Sequence, residues 1–472
     1  MPMVGGAMML GRVSLLVLAA AALFACSAKP PTEESANLNP SERSEKTPAH
    51  EGAAAVDRSG ALAFPGAIGH GARAIGGRGG KVIHVTTLAD RVPGSLRACL
   101  DAEGARVCVF DVAGTIRFEG SPPIIRNPFL TIAGESAPGE GITLAHSGGA
   151  EARSPLLIKK THDVIVRHIR VRNDRMGDNR ESEDAITIES SEYVILDHVS
   201  GSWALDEVVN GYGDNDFITI SNSIFAFGLP KHDKCALLAS DPFDAQHFTF
   251  ARNICAHNGD RNPDINFPPG SCVEVVNNVF FNAQSEFAEV WETYGGTPVS
   301  LVGNWFIGGP DTTGRALGIV RQQLGSKGPA QLYEADNRFE GNFRERSDGL
   351  AEIAVDAPPC ALTVTPEPAA QLVADLLGNS GAWPHDAVDR QVVADIRARK
   401  GRIVRRPGQI PDPSSSIARS PRDSDGDGLP DDWEAARGSL PNTADSWDHP
   451  DDSGWSYLEL YLDERATQRK RG

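Results

Sequence analysis

Phe248-Thr249-Phe250-Ala251-Arg252-Asn253-Ile254, Val273-Glu274-Val275-Val276-Asn277-Asn278-Val279-Phe280 and Val299-Ser300-Leu301-Val302-Gly303-Asn304-Trp305-Phe306 are one pattern written three times. Each begins with a short alternating strand, passes a polar turn carrying Asn, and enters a second short strand. Upstream the same unit reads Val164 to Val171, Val194 to Val199 and Ile218 to Phe225, with His168, His198 and Asn222 at the turn. Taking His168, His198, Asn222, Asn253, Asn278 and Asn304 as marks, the spacings are 30, 24, 31, 25 and 26 residues. A constant unit with inserts of varying length is what a coiled parallel sheet produces, because each coil stacks on the last and insertions leave through one turn. The recurring Asn suits a turn that needs left-handed geometry and a side chain able to bond stacked backbone groups. A β-sandwich is the alternative, but it needs hairpin turns of the Asn-Gly or Asp-Gly kind, which are scarce between these strands. The expected fold is all-β, a right-handed parallel β-helix over residues 61–345.

The flanks differ in kind. Arg12 precedes the apolar run Val13 to Phe24, too short for a comfortable membrane span and followed by Ala25-Cys26-Ser27. This is a signal peptide, and Leu23-Phe24-Ala25-Cys26 resembles a bacterial lipoprotein processing site, with Cys26 as the lipidated residue. The expected location is outside the cytoplasm, on the outer membrane or cell surface, with simple secretion as the alternative. Residues 27–60 hold almost no large apolar side chain and read as a disordered tether. After residue 345 the pattern changes: Leu372 to Leu377 and Ala387 to Arg399 have helical spacing, within a segment 346–406 expected to pack on the solenoid. A Pro/Ser linker, 407–420, leads to an acidic module at 421–465.

Composition narrows the function. The 472 residues carry 48 glycines, 7% aromatics and a net charge of −18, which excludes the basic footprint of a nucleic-acid binder. An acidic substrate must therefore meet local cations or a bound metal. Besides Cys26 there are six cysteines, Cys99, Cys108, Cys235, Cys255, Cys272 and Cys360, an even number in an oxidising compartment; Cys99 and Cys108 are nearest in sequence and the full pairing is open. Gly76-Gly77-Arg78-Gly79-Gly80 lacks the lysine and spacing of a phosphate loop.

Asp423-Ser424-Asp425-Gly426-Asp427-Gly428-Leu429-Pro430-Asp431-Asp432-Trp433-Glu434 fits the calcium-loop pattern D-x-D-x-D-G-x5-E. The expected ligands are Asp423, Asp425, Asp427, the Leu429 carbonyl, Asp431 and Glu434, with Gly428 at the sharp turn; the alternative is a solvated acidic loop. Asp448 to Glu459 has the wrong spacing for a second loop and is assigned no ion. The module is expected to be structural.

Three clusters carry chemistry: Asp184 in Glu183-Asp184-Ala185-Ile186; Asp206, Glu207 and Asn210 in Asp206-Glu207-Val208-Val209-Asn210; and Lys234 with Arg261-Asn262-Pro263. They fall on consecutive coils, which stack about 4.8 Å apart, so they form a row of acid, acid, base. Each could also be structural: turn acids for Asp184 and Asp206, a surface lysine for Lys234, a coil-to-coil ion pair for Arg261.

Ala63-Phe64-Pro65-Gly66-Ala67-Ile68-Gly69-His70-Gly71-Ala72, Gly76 to Lys81, Pro93-Gly94-Ser95-Leu96-Arg97, Asp197-His198, Ser202-Trp203, His257-Asn258 before Arg261-Asn262-Pro263, and Gly381 to Asp389 together resemble a secreted pectate lyase of polysaccharide lyase family 1, of the bacterial branch. The resemblance spans roughly residues 61–402. It implies calcium-dependent β-elimination of 4-linked galacturonan, an acidic polysaccharide partner, and a monomer. It places Asp184 and Asp206 as Ca2+ ligands, Asn210 where a further Asp ligand is common, Lys234 as the substrate-binding lysine and Arg261 as the base at C5. Two departures stand out. Asn210 removes a charge from the metal site, and Asn266, a substrate-contact position, replaces the second arginine of R-x-P-x-x-R. The rival functions are a hydrolase on the same solenoid, for which Asp206 and Glu207 would be the paired acids, and a non-catalytic glycan-binding β-helix. Adjacent on a strand, Asp206 and Glu207 are expected to face opposite ways, which counts against the hydrolase.

Overall fold

The computed structural model describes residues 56–60, 62–178, 183–230, 232–410 and 420–471. The leader, Cys26, nearly all of the tether and residues 411–419 of the linker lie outside the described residues. From Lys81 onward the chain winds into a right-handed solenoid of about ten coils. Three parallel sheets, of ten, nine and nine strands, form its walls. The ten-stranded sheet runs from Lys81–Val85 to Gln331–Ala335, and one nine-stranded sheet from Gly114–Phe118 to Arg338–Glu340. The other carries the site: β1 Ile124–Ile125, β2 Leu156–Lys159, β3 Ile186–Glu189, β4 Glu207–Tyr212, β5 Lys234–Ser240, β6 Asp264–Ile265, β7 Glu286–Trp291, β8 Leu317–Gln322 and β9 Arg344–Arg346. Every strand pairs with the equivalent strand one coil away, so Val194 lies between Val164 and Ile218. The interior is a column of Val, Ile, Leu and Phe, among them Val166, Leu196, Ile220, Phe250, Val275 and Leu301, all buried.

The recurring turn divides its labour between two residues. His168, His198, Asn222, Arg252, Asn277 and Asp336 hold φ between 49° and 60°; from Asn222 onward the residue that follows supplies the side-chain bonds, whereas the apolar Ile169 and Val199 follow His168 and His198. Asn253, Asn278, Asn304 and Asn337 form a ladder in which each Oδ1 accepts the backbone N–H of the turn one coil back, at 3.0, 2.8, 2.9 and 3.0 Å. Each Nδ2 donates to a carbonyl: Ile220, Phe250, Val275 and Leu301, at 2.8, 2.9, 2.8 and 2.8 Å. The expected left-handed role therefore belongs to His168, His198 and Asn222, while Asn253, Asn278 and Asn304 sit one place later and do the bonding. Buried backbone groups facing the next coil are satisfied this way.

Appendages cover the outer faces. Residues 62–75 lie on the ten-stranded sheet, with Phe64, Ala72 and Ala74 against Ile165 and Ile195; Gly77 approaches so closely that a Cβ there would stand 2.0 Å from the Arg106 carbonyl oxygen. Helix α1, Leu96–Asp101, plugs the first coil, and buried Arg106 donates to the carbonyls of Cys99, Leu100 and Pro128 at 2.9, 2.8 and 2.9 Å. Helices α2, Ala369–Asn379, and α3, Ala387–Ala398, bury Leu372, Leu376, Val392 and Ile396 against Ile224, Ile254 and Val279 of the nine-stranded sheet that begins with Gly114–Phe118. Arg172 anchors them, donating to Asp386 at 3.0 Å and Asp389 at 2.7 Å. Disulfides join Cys99–Cys108, Cys235–Cys255 and Cys272–Cys360, which consumes all six cysteines after Cys26.

The acidic C-terminal segment does not stand apart. Its helices α4, Asp431–Arg437, and α5, Tyr457–Arg471, pack on the first coils, where Leu429, Leu458, Tyr461 and Leu462 meet Val107, Val109 and Ala133.

Candidate active site

Parallel register brings the three sequence clusters together. Thr187 of β3 pairs with Asn210 of β4, Glu207 with Lys234 of β5, and Lys234 with Asp260 on the next coil. Asp184 precedes β3 and is 3% exposed. Its Oδ2 accepts from Thr187 Oγ1 at 2.6 Å and from Asn210 Nδ2 at 3.1 Å, while Oδ1 accepts the Glu207 N–H at 3.2 Å. Burial, with Asp206 as a neighbouring negative charge, raises its pKa to about 7. The Asn210 side chain has its Nδ2 committed to Asp184 while its buried Oδ1 has no partner.

Asp206 and Glu207 do not face opposite ways. Asp206 lies in the turn before β4, outside the alternation of the strand, and its carboxylate comes round beside that of Glu207. Together with His232 they offer ligand atoms within 4.8 Å of one another. His232 Nδ1 stands 2.8 Å from Asp206 Oδ1, and the Glu207 carboxylate takes Arg261 Nη1 at 2.5 Å. A carboxylate held by arginine and 1% exposed is not free to act as one of a hydrolase pair.

The two cations are both neutralised from within. Lys234 pairs with Asp260; burial works against its charge, but Asp260 overcomes this and holds its pKa above the usual lysine value. Arg261, at φ 51°, meets Glu207 and, at 3.6 Å, Asp264; its backbone N–H donates to Glu289 at 3.1 Å. Burial opposes its charge too, and Glu207, Asp264 and Glu289 overturn that, holding the guanidinium above its ordinary pKa. Asn266 follows β6 on the same coil, its Oδ1 buried and unpartnered, where a second arginine was the family expectation. Asp260, His232 and Glu289 are the residues that sequence reasoning left without a role; Asp260 adjoins Arg261 and His232 lies two residues before Lys234.

The donor chemistry suits a hard cation. Asp184 and Asp206 supply carboxylate oxygens, Asn210 a buried amide oxygen lacking a donor, and the carboxylates repel one another as they stand. Calcium takes six to eight oxygen ligands of this kind.

Of the C-terminal residues, Asp423, Asp425 and Asp427 present ligand atoms within 4.8 Å of one another, and so do Asp427, Glu434 and Asp445. Asp431 is not with them. Its two oxygens accept from Ser424 N and Ser424 Oγ, both at 2.8 Å, and Arg422 is 3.3 Å away. Asp445, eleven residues past Glu434 and outside the loop pattern, stands in that second trio instead.

No protein-family model matches the chain. Curated relatives do. The protein named "Probable pectate lyase C" from Aspergillus terreus is 34% identical over 412 residues, covering 85% of this chain and 93% of its own length. Its namesake from Aspergillus flavus is 34% identical over 420 residues with the same coverage. Among solved structures, that of Jun a 1, the major allergen from cedar pollen, aligns with a TM-score of 0.51 at 19% identity, covering 67% of this chain and 92% of that one, a likeness of fold. On the identity and coverage of the fungal relatives, the chain belongs to the pectate lyase family.

Proposed function

We propose that the protein cleaves 4-linked galacturonan by calcium-dependent β-elimination, releasing oligogalacturonides with a 4,5-unsaturated end. The observation that carries this reading is the row that parallel register builds on successive coils: Asp184 bonded to Asn210, then Asp206 beside Glu207, then Lys234 and Arg261. A bound Ca2+ there would neutralise the uronate carboxylate and lower the acidity barrier at C5.

The chain's own residues supply the rest. Lys234 binds a substrate carboxylate by exchanging it for Asp260. Arg261, in its neutral form, takes the C5 proton; the C5–H electron pair becomes the C4=C5 bond, the C4–O bond breaks with its pair on the glycosidic oxygen, and that oxygen takes a proton from solvent. Glu207 holds the guanidinium charged and in place, so activity rises with pH as the neutral form becomes accessible. Asn266 lacks the charge of an arginine, which leaves one fewer cationic contact to the polymer and supports preference for a substrate of lower charge density than bare pectate.

The reading includes membership of polysaccharide lyase family 1 in its bacterial secreted branch, a location outside the cytoplasm with Cys26 as lipid anchor, and action as a monomer; its support is the sequence before residue 60 and the motifs quoted above. Mass analysis of products formed in isotopically heavy water tests the reaction class. Elimination gives chains that lack the elements of water and carry no solvent oxygen at the cut, whereas solvent oxygen at a new reducing end would establish hydrolysis.

A further inference from the structure

The acidic segment at the C-terminus has a geometry that the chemistry of the solenoid does not use. Glu434 is fully buried, and while Ser439 Oγ donates to its Oε1 at 3.2 Å, its Oε2 has no partner. Asp425 Oδ2 is likewise buried and unpartnered. Five carboxylates gather here: Asp423, Asp425, Asp427, Glu434 and Asp445, in two trios that share Asp427. Among the described residues their one basic neighbour within ion-pair distance is His84, 3.5 Å from Asp423. A buried carboxylate oxygen without a donor is costly unless a cation meets it.

The backbone is already shaped around this spot. Gly426 and Gly428 adopt φ of 76° and 95°, and their N–H groups donate to Asp423 at 2.8 and 2.9 Å. Asp427 Oδ2 accepts the N–H groups of Asp445 and Ser446 at 3.0 and 2.8 Å, so the loop and the later turn are tied across the same carboxylate. The same two pieces of backbone hold the module to the solenoid. Leu429 is buried against Val107 and Val109, Trp447 Nε1 donates to the Gly80 carbonyl at 2.8 Å, and a Cβ on Gly428 would stand 2.9 Å from Val82 Cγ1.

We propose that this segment is a calcium-set clamp: one Ca2+, held by Asp423, Asp425, Asp427, Glu434 and Asp445, fixes the loop and the 445–447 turn so that Leu429 and Trp447 grip the first coils of the solenoid. The all-oxygen donor set selects a hard divalent cation. The clamp differs from the loop pattern in its ligands, because Asp431 serves to pin Ser424 and Asp445 takes the cation. Without the ion, five like charges separate, the loop opens, and the module leaves the solenoid while the catalytic coils stay folded.

The test uses the full chain, calcium alone as the probe, and four proteins: wild type, Asp445→Asn, Glu434→Gln and Asp431→Asn. Calorimetric titration reads calcium affinity, and trypsin digestion with calcium or with chelator reads docking through cleavage after Arg437. Wild type and Asp431→Asn are expected to bind the ion alike and to be protected by it. Asp445→Asn and Glu434→Gln are expected to bind it about ten-fold more weakly or worse and to be cut with calcium present, yet to cleave polygalacturonate at the wild-type rate at saturating calcium. Equal binding by Asp445→Asn and wild type, loss of binding in Asp431→Asn, or protection by calcium that is indifferent to all three substitutions would each overturn the clamp. Loss of polygalacturonate cleavage in wild type would refute the catalytic reading and leave these binding and protection results intact.

Discussion

Arg261 has two jobs in this account, and a double-substitution cycle with Glu207 separates them. Glu207 is 1% exposed, and Arg261 lies 2.5 Å from it with 26% of its own side chain exposed. Arg261→Ala strips a buried carboxylate of its counter-charge, which costs about 3–5 kcal/mol; the partial exposure of the arginine puts the expected loss near the lower figure, about 3 kcal/mol. Glu207→Gln leaves Arg261 with Asp264 at 3.6 Å and a polar neighbour in place, so about 1–2 kcal/mol is expected. Removing both charges in the double variant abolishes the imbalance and returns stability to within about 1 kcal/mol of Glu207→Gln. Catalysis follows a different pattern. Both variants that lack Arg261 are expected to lose about 10²–10⁴-fold in rate, while Glu207→Gln retains activity with its alkaline rise displaced to lower pH. Urea unfolding at saturating calcium gives the stabilities and initial release of unsaturated ends gives the rates. Recovery of catalysis in the double variant would refute the reasoning, because it would reduce Arg261 to a coil-to-coil buttress.

Asn278→Ala orphans the Asn253 N–H and the Phe250 carbonyl, both inside the ladder; at about 1–3 kcal/mol for each buried unpaired group it is expected to lower the urea midpoint far more than a surface Asn→Ala change, and equal midpoints would count against the ladder. Asn210→Asp adds a carboxylate beside Asp184 and is expected to lower the calcium concentration giving half-maximal activity, while reducing stability in chelator; an unchanged calcium requirement would remove Asn210 from the metal site. His257 is buried between Phe227 and Phe281, and burial lowers its pKa to about 4. Its Nδ1 is already engaged by Asn282 Nδ2 at 2.9 Å. The unfolded chain binds this proton below about pH 6.5 and the folded chain does not until about pH 4, so the contribution is whole above pH 6.5 and is lost as pH falls through that window, by at most about 3 kcal/mol. Acidification from pH 6.5 to 4 should therefore cost wild type more stability than His257→Gln, and parallel pH profiles would contradict this.

The fold was legible because two of the three walls repeat a constant unit. The strand of the ten-stranded sheet, the two-residue turn and the strand of the sheet that begins with Gly114–Phe118 form one uninterrupted segment, as in Phe248 to Ala256, and its alternation survives from coil to coil. The site sheet was not legible in the same way: its strands follow inserts of varying length and carry charged residues such as Glu207, Lys234 and Asp264, so hydrophobic periodicity is broken where the chemistry sits. For the same reason the residues on the row were found by their type, but their partners were not. Glu207 with Arg261 and Lys234 with Asp260 are pairings across coils, which only register fixes. Asp206 and Glu207 were misread because strand alternation was extended one residue into a turn. Asp445 was missed because the loop pattern counts along the chain, and the carboxylate that closes on Glu434 arrives from a later turn.

The most direct test of calcium-dependent elimination is ultraviolet absorbance of the conjugated C4=C5 bond during digestion of polygalacturonate at alkaline pH, in calcium and in chelator, with Asp184→Asn as the control. The account predicts absorbance that grows with calcium, stops with chelator, and requires far more calcium in Asp184→Asn. Chain shortening with no gain in absorbance, or growth indifferent to calcium, would contradict it.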